Sequence, residues 1–233
     1  MHVEDNDPDA AVWTLRCPAC DYEEGATRRI IDPDWLQARL ISNAHLPAHT
    51  DRPWERRPGT EEAVEALAEV VQNWQTIKNE NGTRAPKLPL LVGAPGGGKT
   101  HLLALTGRRL IDEHRVPVMY TTMSELLADA SRAMNERQKG GDGVQAVFDR
   151  AQTVELLLLD DLGAERPTEW AQDQLASLVD YRYTRGLPMI AATNISPQMW
   201  AAAFGSRTAS RLMELCHQVG VSATDYRVER MAA

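Results

Sequence analysis

The chain has 233 residues, enough for one large domain or two small ones. Its 25 Lys and Arg against 33 Asp and Glu give a net charge of −8, so bulk charge gives no reason to expect a protein that coats duplex DNA indiscriminately, while a local basic groove remains possible. No apolar run is long enough to span a bilayer, and the acidic start is unlike a secretory signal. We therefore expect a cytoplasmic protein with no membrane partner.

Residues 1–55 are predicted to form a small N-terminal module that binds a partner, and residues 56–233 a separate domain. The first 12 residues combine many charges with few apolar side chains, as in a disordered acidic tail. Residues 32–42 are patterned as a short amphipathic helix. Prolines and charges between residues 45 and 59 indicate an extended arm or linker.

Cys17 and Cys20 form a C-x-x-C pair, the spacing at which two thiolates from a tight turn face one metal ion. Three cysteines in the whole chain do not make a disulfide framework. A zinc site needs two more ligands, and the nearby candidates, His45 and His49, are farther from the cysteines than in a compact two-Cys, two-His finger. Two interpretations remain open: a Zn²⁺ site, or a purely structural turn.

A helix is predicted to begin after Thr60, which is a suitable N-cap and is followed by two glutamates. Apolar residues recur at helical spacing from Val64 to Ile77 and predict one buried face. Glycine and proline within residues 79–86 end this pattern.

The stretch from Gly93 to Thr100 reads GAPGGGKT and fits the phosphate-binding pattern G-x-x-x-x-G-K-[ST]. An apolar run at 88–92 precedes it, and a helix is predicted to begin near Lys99. Backbone N–H groups of such a loop bind phosphates, the lysine reaches the β and γ phosphates, and the Thr100 hydroxyl can bind Mg²⁺. The sequence therefore predicts ATP and Mg²⁺ as ligands. The residues expected to contact them here are Gly93, Pro95, Gly96, Gly97, Gly98, Lys99, Thr100 and His101.

Strands and helices alternate after this loop. Further strands are predicted at 117–121, 156–159 and 187–194, with an edge strand within 217–228. Together with residues 88–92 they predict an α/β fold in which a five-stranded parallel sheet lies between helices.

Polar side chains stand where two of these strands end. Asp160 follows four leucines and is expected to bind the Mg²⁺ of MgATP, directly or through water. Asp161 is placed to orient and deprotonate the attacking water, with a helix N-cap or a solvent-paired acid as the alternative. Asn194 is expected to hold the attacking water or the γ-phosphate, although asparagine is also common at strand ends.

Arg207 and Arg211 lie four residues apart in a helix predicted at 206–216, and so on one face. A guanidinium can stabilise charge on a γ-phosphate, including one bound to a neighbouring subunit. The alternative is a surface ion pair with Glu214 or another acid.

These motifs resemble the AAA+ helicase loaders of the DnaC/DnaI type and the related IstB transposition ATPases. The resemblance covers about residues 55–230. It rests on GAPGGGKTHL, LLLLDDLGAE, VDYRYTRGLPMIAATNIS and SRTASRLMEL, and weakly on DYR at 225–227. It implies an AAA+ P-loop ATPase in which Asp160 serves the metal, Asp161 matches the acidic catalytic position and Asn194 is the first sensor.

The resemblance implies further that Arg207 and Arg211 match the family's finger and second-sensor region, with at least one acting across a subunit boundary. Residues 123–151 resemble an insertion that lines single-stranded DNA. The phosphate contacts available there are Arg132, Arg137 and Lys139, unless this stretch is only a solvated loop.

The function implied is an ATP-dependent loader of a hexameric replicative helicase onto single-stranded DNA, self-associating into a spiral or ring. The runner-up is an IstB-like ATPase that assists a transposase. A nucleotide switch that does not hydrolyse ATP is a third possibility, because the side chain of Asp161 is one carbon shorter than the glutamate common in such ATPases. No acceptor pocket or arginine-bearing lid supports a small-molecule kinase.

Overall fold

The computed structural model describes residues 57–79, 87–137, 144–163 and 168–225. The predictions for the N-terminal module, including the Cys17 and Cys20 pair and the helix at 32–42, lie outside these residues. So do Lys139, the side chain of Arg137 and the chain beyond residue 225. Among the described helices none combines the length and the apolar character that crossing a membrane requires.

The described chain alternates helices and parallel strands. The helices are α1 (Glu61–Gln72), α2 (Trp74–Asn79), α3 (Lys99–His114), α4 (Met123–Arg137), α5 (Val144–Thr153), α6 (Glu169–Arg185), α7 (Trp200–Phe204) and α8 (Ser206–Leu215). A single 3₁₀ turn at Pro197–Met199 leads into α7. The strands are β1 (Leu88–Gly93), β2 (Val118–Thr122), β3 (Leu156–Leu162), β4 (Met189–Thr193) and β5 (Cys216–Val221).

The five strands form one sheet in the order β2-β3-β4-β1-β5, and every neighbouring pair is parallel. This confirms the predicted fold. Because the strands are parallel, all of their carboxyl ends lie at one edge, where ligands bind in open α/β sheets. The order places β4 between β1, which leads into the phosphate loop, and β3, which carries the two aspartates.

The sheet is buried on both faces. Leu91 belongs to a core shared with α1, α2 and α3, while its neighbour Leu90 belongs to a second core shared with α4 to α8. Successive side chains of a strand point to opposite faces, so a strand covered on both sides is apolar throughout. The four leucines at 156–159 are fully buried for this reason.

Two details at the start of the described chain differ from the prediction. Thr60 occupies the predicted N-cap position directly before α1, but its Oγ1 donates to the carbonyl of Arg57 at 2.7 Å and accepts no helix N–H. The single predicted helix is also interrupted at Asn73, where α1 ends and α2 follows. At the other end of the described chain, the predicted edge strand is β5, which runs from Cys216 to Val221.

Helix α6 shows how local chemistry sets helix ends. Thr168 is its N-cap, and the Thr168 Oγ1 accepts the N–H of Ala171 at 3.1 Å. The helix therefore starts at Glu169, directly after this cap. It ends at Arg185, and its C-cap residue Gly186 has φ of 63°, a left-handed conformation that glycine adopts without strain.

Arg182 on α6 is a fully buried cation that ties together three connections of the chain. Its guanidinium donates to backbone carbonyls only. The acceptors are the carbonyl oxygens of Ala151 (2.8 Å), Gln152 (3.2 Å), Val154 (3.0 Å), Glu155 (3.4 Å) and Pro188. The planar fork of donors thus joins the end of α5, the start of β3 and the residue before β4.

Replacing Arg182 by methionine is expected to lower the free energy of unfolding by about 3–5 kcal/mol, because buried carbonyls lose their donors. For a chain of this size that corresponds to a fall in melting temperature of about 10 °C, measurable by calorimetry. The matched control is Arg185→Met on the same helix. Arg185 is exposed and stacks on Tyr181 at 3.7 Å, so its loss should cost under about 1 kcal/mol. Equal melting temperatures for the two variants would contradict the proposal that the hydrogen bonds from Arg182 to these carbonyls stabilise the fold.

Candidate nucleotide-binding site

The phosphate loop is shaped by close backbone contacts and left-handed glycines. Gly93 pairs with Val221 of β5, and a side chain on Gly93 would place its Cβ 2.0 Å from the Val221 carbonyl oxygen. Gly96 and Gly98 have φ values of 77° and 97°, which L side chains rarely adopt. The loop therefore requires glycine at these positions. Gly98 is the N-cap of α3, so the positive end of that helix faces the loop.

Lys99 lies folded back onto the loop. It is 5% exposed, and its Nζ donates to the carbonyls of Gly93 and Ala94, both at 2.9 Å, and to Oδ1 of Asn194 at 2.5 Å. Burial lowers the pKa of Lys99, while the nearby charges of Asp160 and Asp161 act to raise it. The structure thus joins the predicted loop lysine to the predicted sensor asparagine in one hydrogen bond.

Asp160 and Asp161 lie at a β-bulge. Leu159 pairs with Ala191 and Leu162 pairs with Thr193, so three steps along β3 match two along β4. Asp161 takes the left-handed conformation with φ of 49°, which aspartate tolerates better than most residues. Asp160 is buried and Asp161 partly exposed. The bulge therefore interrupts the regular strand alternation at Asp161, next to the buried Asp160.

The end of β4 is fixed beside this bulge. Thr193 Oγ1 donates to the carbonyl of Leu162 at 2.7 Å and accepts the N–H of Ile195 at 3.0 Å. Asn194 lies between these two anchored positions, which explains how its side chain is held against Lys99. The predicted loop, aspartates and asparagine are thus gathered at the carboxyl edge of three adjacent strands.

Arg207 and Arg211 make ion pairs with the same acid, Asp180 of α6. Arg207 NH2 lies 3.1 Å from one Asp180 oxygen, and Arg211 NH1 contacts the other. Arg211 also lies over the ring of Tyr183, at 5.4 Å from its centre. The ion-pair alternative is therefore realised within this chain, but the acid is Asp180, whereas Glu214 accepts a hydrogen bond from the Tyr183 hydroxyl at 2.8 Å.

These arginines belong to the face of the sheet opposite the loop helix. The buried side of α8 packs in the core shared by α4 to α8, whereas α3, which begins at Lys99, packs in the other core. The side chain of Arg207 is 73% exposed and that of Arg211 is 21% exposed. The arrangement leaves Arg207 accessible to another molecule while Arg211 is more firmly held.

Two further parts of the site were not assigned a role from the sequence, although Asp225 begins the weak DYR match. Tyr120 of β2 donates its hydroxyl to Asp160, as described further below. Residues 222–225 leave β5 and pass the loop, and a Cβ on Gly96 would lie 2.0 Å from the carboxyl carbon of Asp225. The same segment is tied to residues 57–59 by bonds from Ser222 N to Gly59 O (2.9 Å) and from Arg57 to Thr224 O (3.0 Å).

A cavity of about 290 Å³ opens where these two segments meet. It is lined by Arg57, Pro58, Gly59, Ser222 and Thr224. Because residues 221–225 also contact the glycines of the loop, the cavity lies beside the phosphate-binding position.

The described residues contain no cluster of three or more His, Cys, Asp or Glu side chains suited to a metal ion. Mg²⁺ in nucleotide sites is usually held by one or two protein oxygens, the substrate phosphates and water. The hydroxyl of Thr100 and the carboxylate of Asp160, which is buried, stay the oxygens predicted to bind the ion.

The fold and the site together define an AAA+ P-loop ATP-binding domain. Residues 71–232 match the family described as IstB-like ATP binding protein, and the chain belongs to this family. The crystal structure of the DnaC helicase loader superposes with a TM-score of 0.62 over 77% of this chain and 98% of that one, at 22% identity.

Two curated relatives come from Bacillus subtilis (strain 168). The uncharacterized protein YqaM is 32% identical over 140 residues, which cover 58% of this chain and 41% of YqaM. The replicative helicase loader DnaI is 27% identical over 123 residues, which cover 52% of this chain and 37% of DnaI. The chain thus aligns with less than half of the length of these relatives.

Proposed function

We propose that this protein hydrolyses ATP as an oligomer and loads a hexameric replicative helicase onto single-stranded DNA. The observation that carries the proposal is the grouping of Lys99, Asp160, Asp161 and Asn194 at one edge of the sheet. The named function of DnaI, a relative at 27% identity, supports the choice of helicase loading among the activities of this fold.

In the proposed reaction the loop N–H groups and Lys99 bind the phosphates, and Thr100 and Asp160 are the residues that would hold Mg²⁺. When bound, the ion neutralises charge on the β and γ oxygens. Asp161 accepts a proton from the attacking water, and Asn194 positions that water or the γ-phosphate. Binding of the phosphates gives Lys99 new acceptors in place of Asn194, which frees the asparagine amide for this task.

The cavity beside the loop is the proposed place for the base and sugar of ATP. Once the phosphates lie on the loop, the nucleoside must extend to one side of it, and the opening between residues 57–59 and 222–224 is adjacent. Gly59 has φ of 83°, and any side chain there would collide with Ser222. Glycine at this position therefore lets the two segments meet.

The paired arginines are proposed to act on ATP bound by a neighbouring subunit. A mixing experiment tests this. The Arg207→Ala/Arg211→Ala protein keeps its own phosphate loop, and Lys99→Ala keeps its arginines, so each alone should be inactive. An equal mixture should recover about a quarter of the wild-type rate if the arginines work in trans. The two single arginine variants, mixed in the same way, identify which residue acts.

No recovery in the mixture would contradict action in trans. The result is read against the size of each protein in solution, since a variant that does not self-associate cannot complement. If the Arg207→Ala/Arg211→Ala protein alone hydrolyses ATP at the wild-type rate, the pair serves only the ion pairs with Asp180.

Helicase binding is tested with the full-length protein and the replicative helicase of the host. We expect capture in at least one nucleotide state, with Lys99→Ala as the control for ATP dependence. Failure to bind in the ATP, ADP and nucleotide-free states would overturn the loader proposal while leaving the ATPase assignment intact. Residues 1–55 are the proposed contact, and a Cys17→Ser/Cys20→Ser protein shows whether zinc, measured by metal analysis, is part of it.

The alternative, assistance to a transposase, is favoured by the IstB-like family match. The relative affinity for single-stranded and duplex DNA distinguishes the loader from the transposition helper. A loader should bind single strands more tightly than duplex, whereas a transposition helper that coats duplex should bind it strongly with a steep loss of affinity in salt. Arg132 of α4 is a proposed phosphate contact. It is 73% exposed and pairs with Asp129 on the same helix.

A further inference from the structure

Asp160 is held at both carboxylate oxygens. Oδ2 accepts the hydroxyl of Tyr120 at 2.6 Å, and Oδ1 accepts the backbone N–H of Asp161 at 2.9 Å. Asp160 is 1% exposed and Tyr120 is 2% exposed, so water does not compete freely for these bonds. The orientation of the carboxylate is therefore set by the protein before any ligand arrives.

The strand register explains why Tyr120 reaches Asp160. On β2 and β3, Tyr120 pairs with Leu158 and Thr122 pairs with Asp160. Tyr120 and Asp160 are thus diagonal neighbours on one face of the sheet, at a separation that an aromatic side chain can span. This face carries the core shared with α3, the helix that begins at Lys99 and Thr100. The hydroxyl therefore approaches the carboxylate from within that core.

The chemistry of this contact suits a fixed donor. The Tyr120 hydroxyl is the donor of this bond and the Asp160 carboxylate is its acceptor. Each carboxylate oxygen has more than one acceptor position, so one bond from Tyr120 and one from Asp161 leave capacity for a metal ion or its water. Hydrogen bonds of this kind orient metal ligands, and their loss commonly costs 10–100-fold in metal affinity.

We infer that Tyr120 is a positioning residue for Mg²⁺, acting through Asp160 by holding its carboxylate in the direction of the nucleotide phosphates. This inference rests on the proposed MgATP site. It assigns to β2, an edge strand that carries no sequence motif, a part in metal binding.

Tyr120→Phe tests the inference, because it removes only the hydroxyl. ATP affinity is measured by calorimetry in excess EDTA and over a Mg²⁺ titration, on the same preparation. We expect the Mg²⁺ concentration for half-maximal tightening of ATP binding to rise about tenfold. The affinity in EDTA should stay within a factor of about two of the wild-type value, because the loop and Lys99 are untouched.

The matched control is Tyr183→Phe, which removes a hydroxyl bonded to a different carboxylate, Glu214, at 2.8 Å. It should leave the Mg²⁺ midpoint unchanged. For each protein, the ATP affinity with Mg²⁺ is compared with the ATP affinity in EDTA on the same preparation. A partly unfolded preparation lowers the binding stoichiometry but does not change the ratio of these two affinities. A wild-type midpoint in Tyr120→Phe would overturn the inference.

A different result is expected if the proposed MgATP site itself is wrong. In that case the wild-type protein itself would show ATP binding that does not respond to Mg²⁺, or binding that survives in Lys99→Ala. A merely structural role for Tyr120 would lower the melting temperature and weaken ATP binding equally with and without Mg²⁺, and would also refute the positioning role.

Discussion

Lys99→Ala is expected to abolish measurable ATP binding, with a loss of affinity of about 100-fold or more. The variant removes the cation that meets the β and γ phosphates. It also leaves the carbonyls of Gly93 and Ala94 without their donor and frees Asn194. Isothermal calorimetry with MgATP and with MgADP measures the effect.

Two further lysine variants separate charge from packing. Lys99→Met keeps the buried stem and removes only the charge and its hydrogen bonds, so it should lose ATP affinity as fully as alanine with a smaller loss of stability. Lys87→Ala removes an exposed lysine whose Nζ donates to the Met213 carbonyl at 2.8 Å, and should bind ATP normally. ATP binding by Lys99→Met within threefold of wild type would refute the role of the lysine.

Asp161→Asn is expected to keep ATP affinity within a few-fold and to reduce turnover by about 100-fold or more, because the attacking water loses its proton acceptor. The substitution is well matched to the backbone. Asp161 has φ of 49°, and asparagine is among the few residues that tolerate this conformation. A loss of activity is therefore attributable to the carboxylate and not to a refolded bulge.

The measurement is single-turnover hydrolysis, which resolves a slow reaction. Asp173→Asn on α6 is the control, since it makes the same chemical change at an exposed position outside the site. If Asp161→Asn hydrolyses ATP at the wild-type rate, another group is the base. If the wild-type protein hydrolyses no faster than Lys99→Ala, ATP serves only as a switch.

The phosphate loop could be predicted because its chemistry is local. Glycines at 93, 96 and 98, the lysine and the threonine stand in one run of eight residues, and each type is required by backbone conformation or by phosphate. The sheet could be predicted for a similar reason, since continuous apolar runs between helices indicate buried parallel strands. The ends of helices and strands were less well predicted. Thr60 is the N-cap residue of α1 as expected, but its side chain accepts no helix N–H.

The acid that pairs with Arg207 and Arg211 could not be identified from the sequence. Helical spacing placed Arg207 and Arg211 on one face, and an ion pair was the stated alternative, with Glu214 as the nearest acid in sequence. The structure selects Asp180 instead, because α6 and α8 pack side by side. Whether the pair also acts in trans stays a prediction.

Within the part of the chain that the structure describes, the sequence alone determined the ligand class, the loop that binds it and the order of strands and helices along the chain. The tertiary structure decided how the groups around the loop are held. Tyr120 meets Asp160 across 40 residues of sequence, Lys99 meets Asn194 across 95, and Arg182 meets carbonyls 27 to 31 residues earlier in the chain. The direction of Asp161 depends on a bulge against β4. Such contacts follow from strand register and helix packing, which no local run of residues encodes.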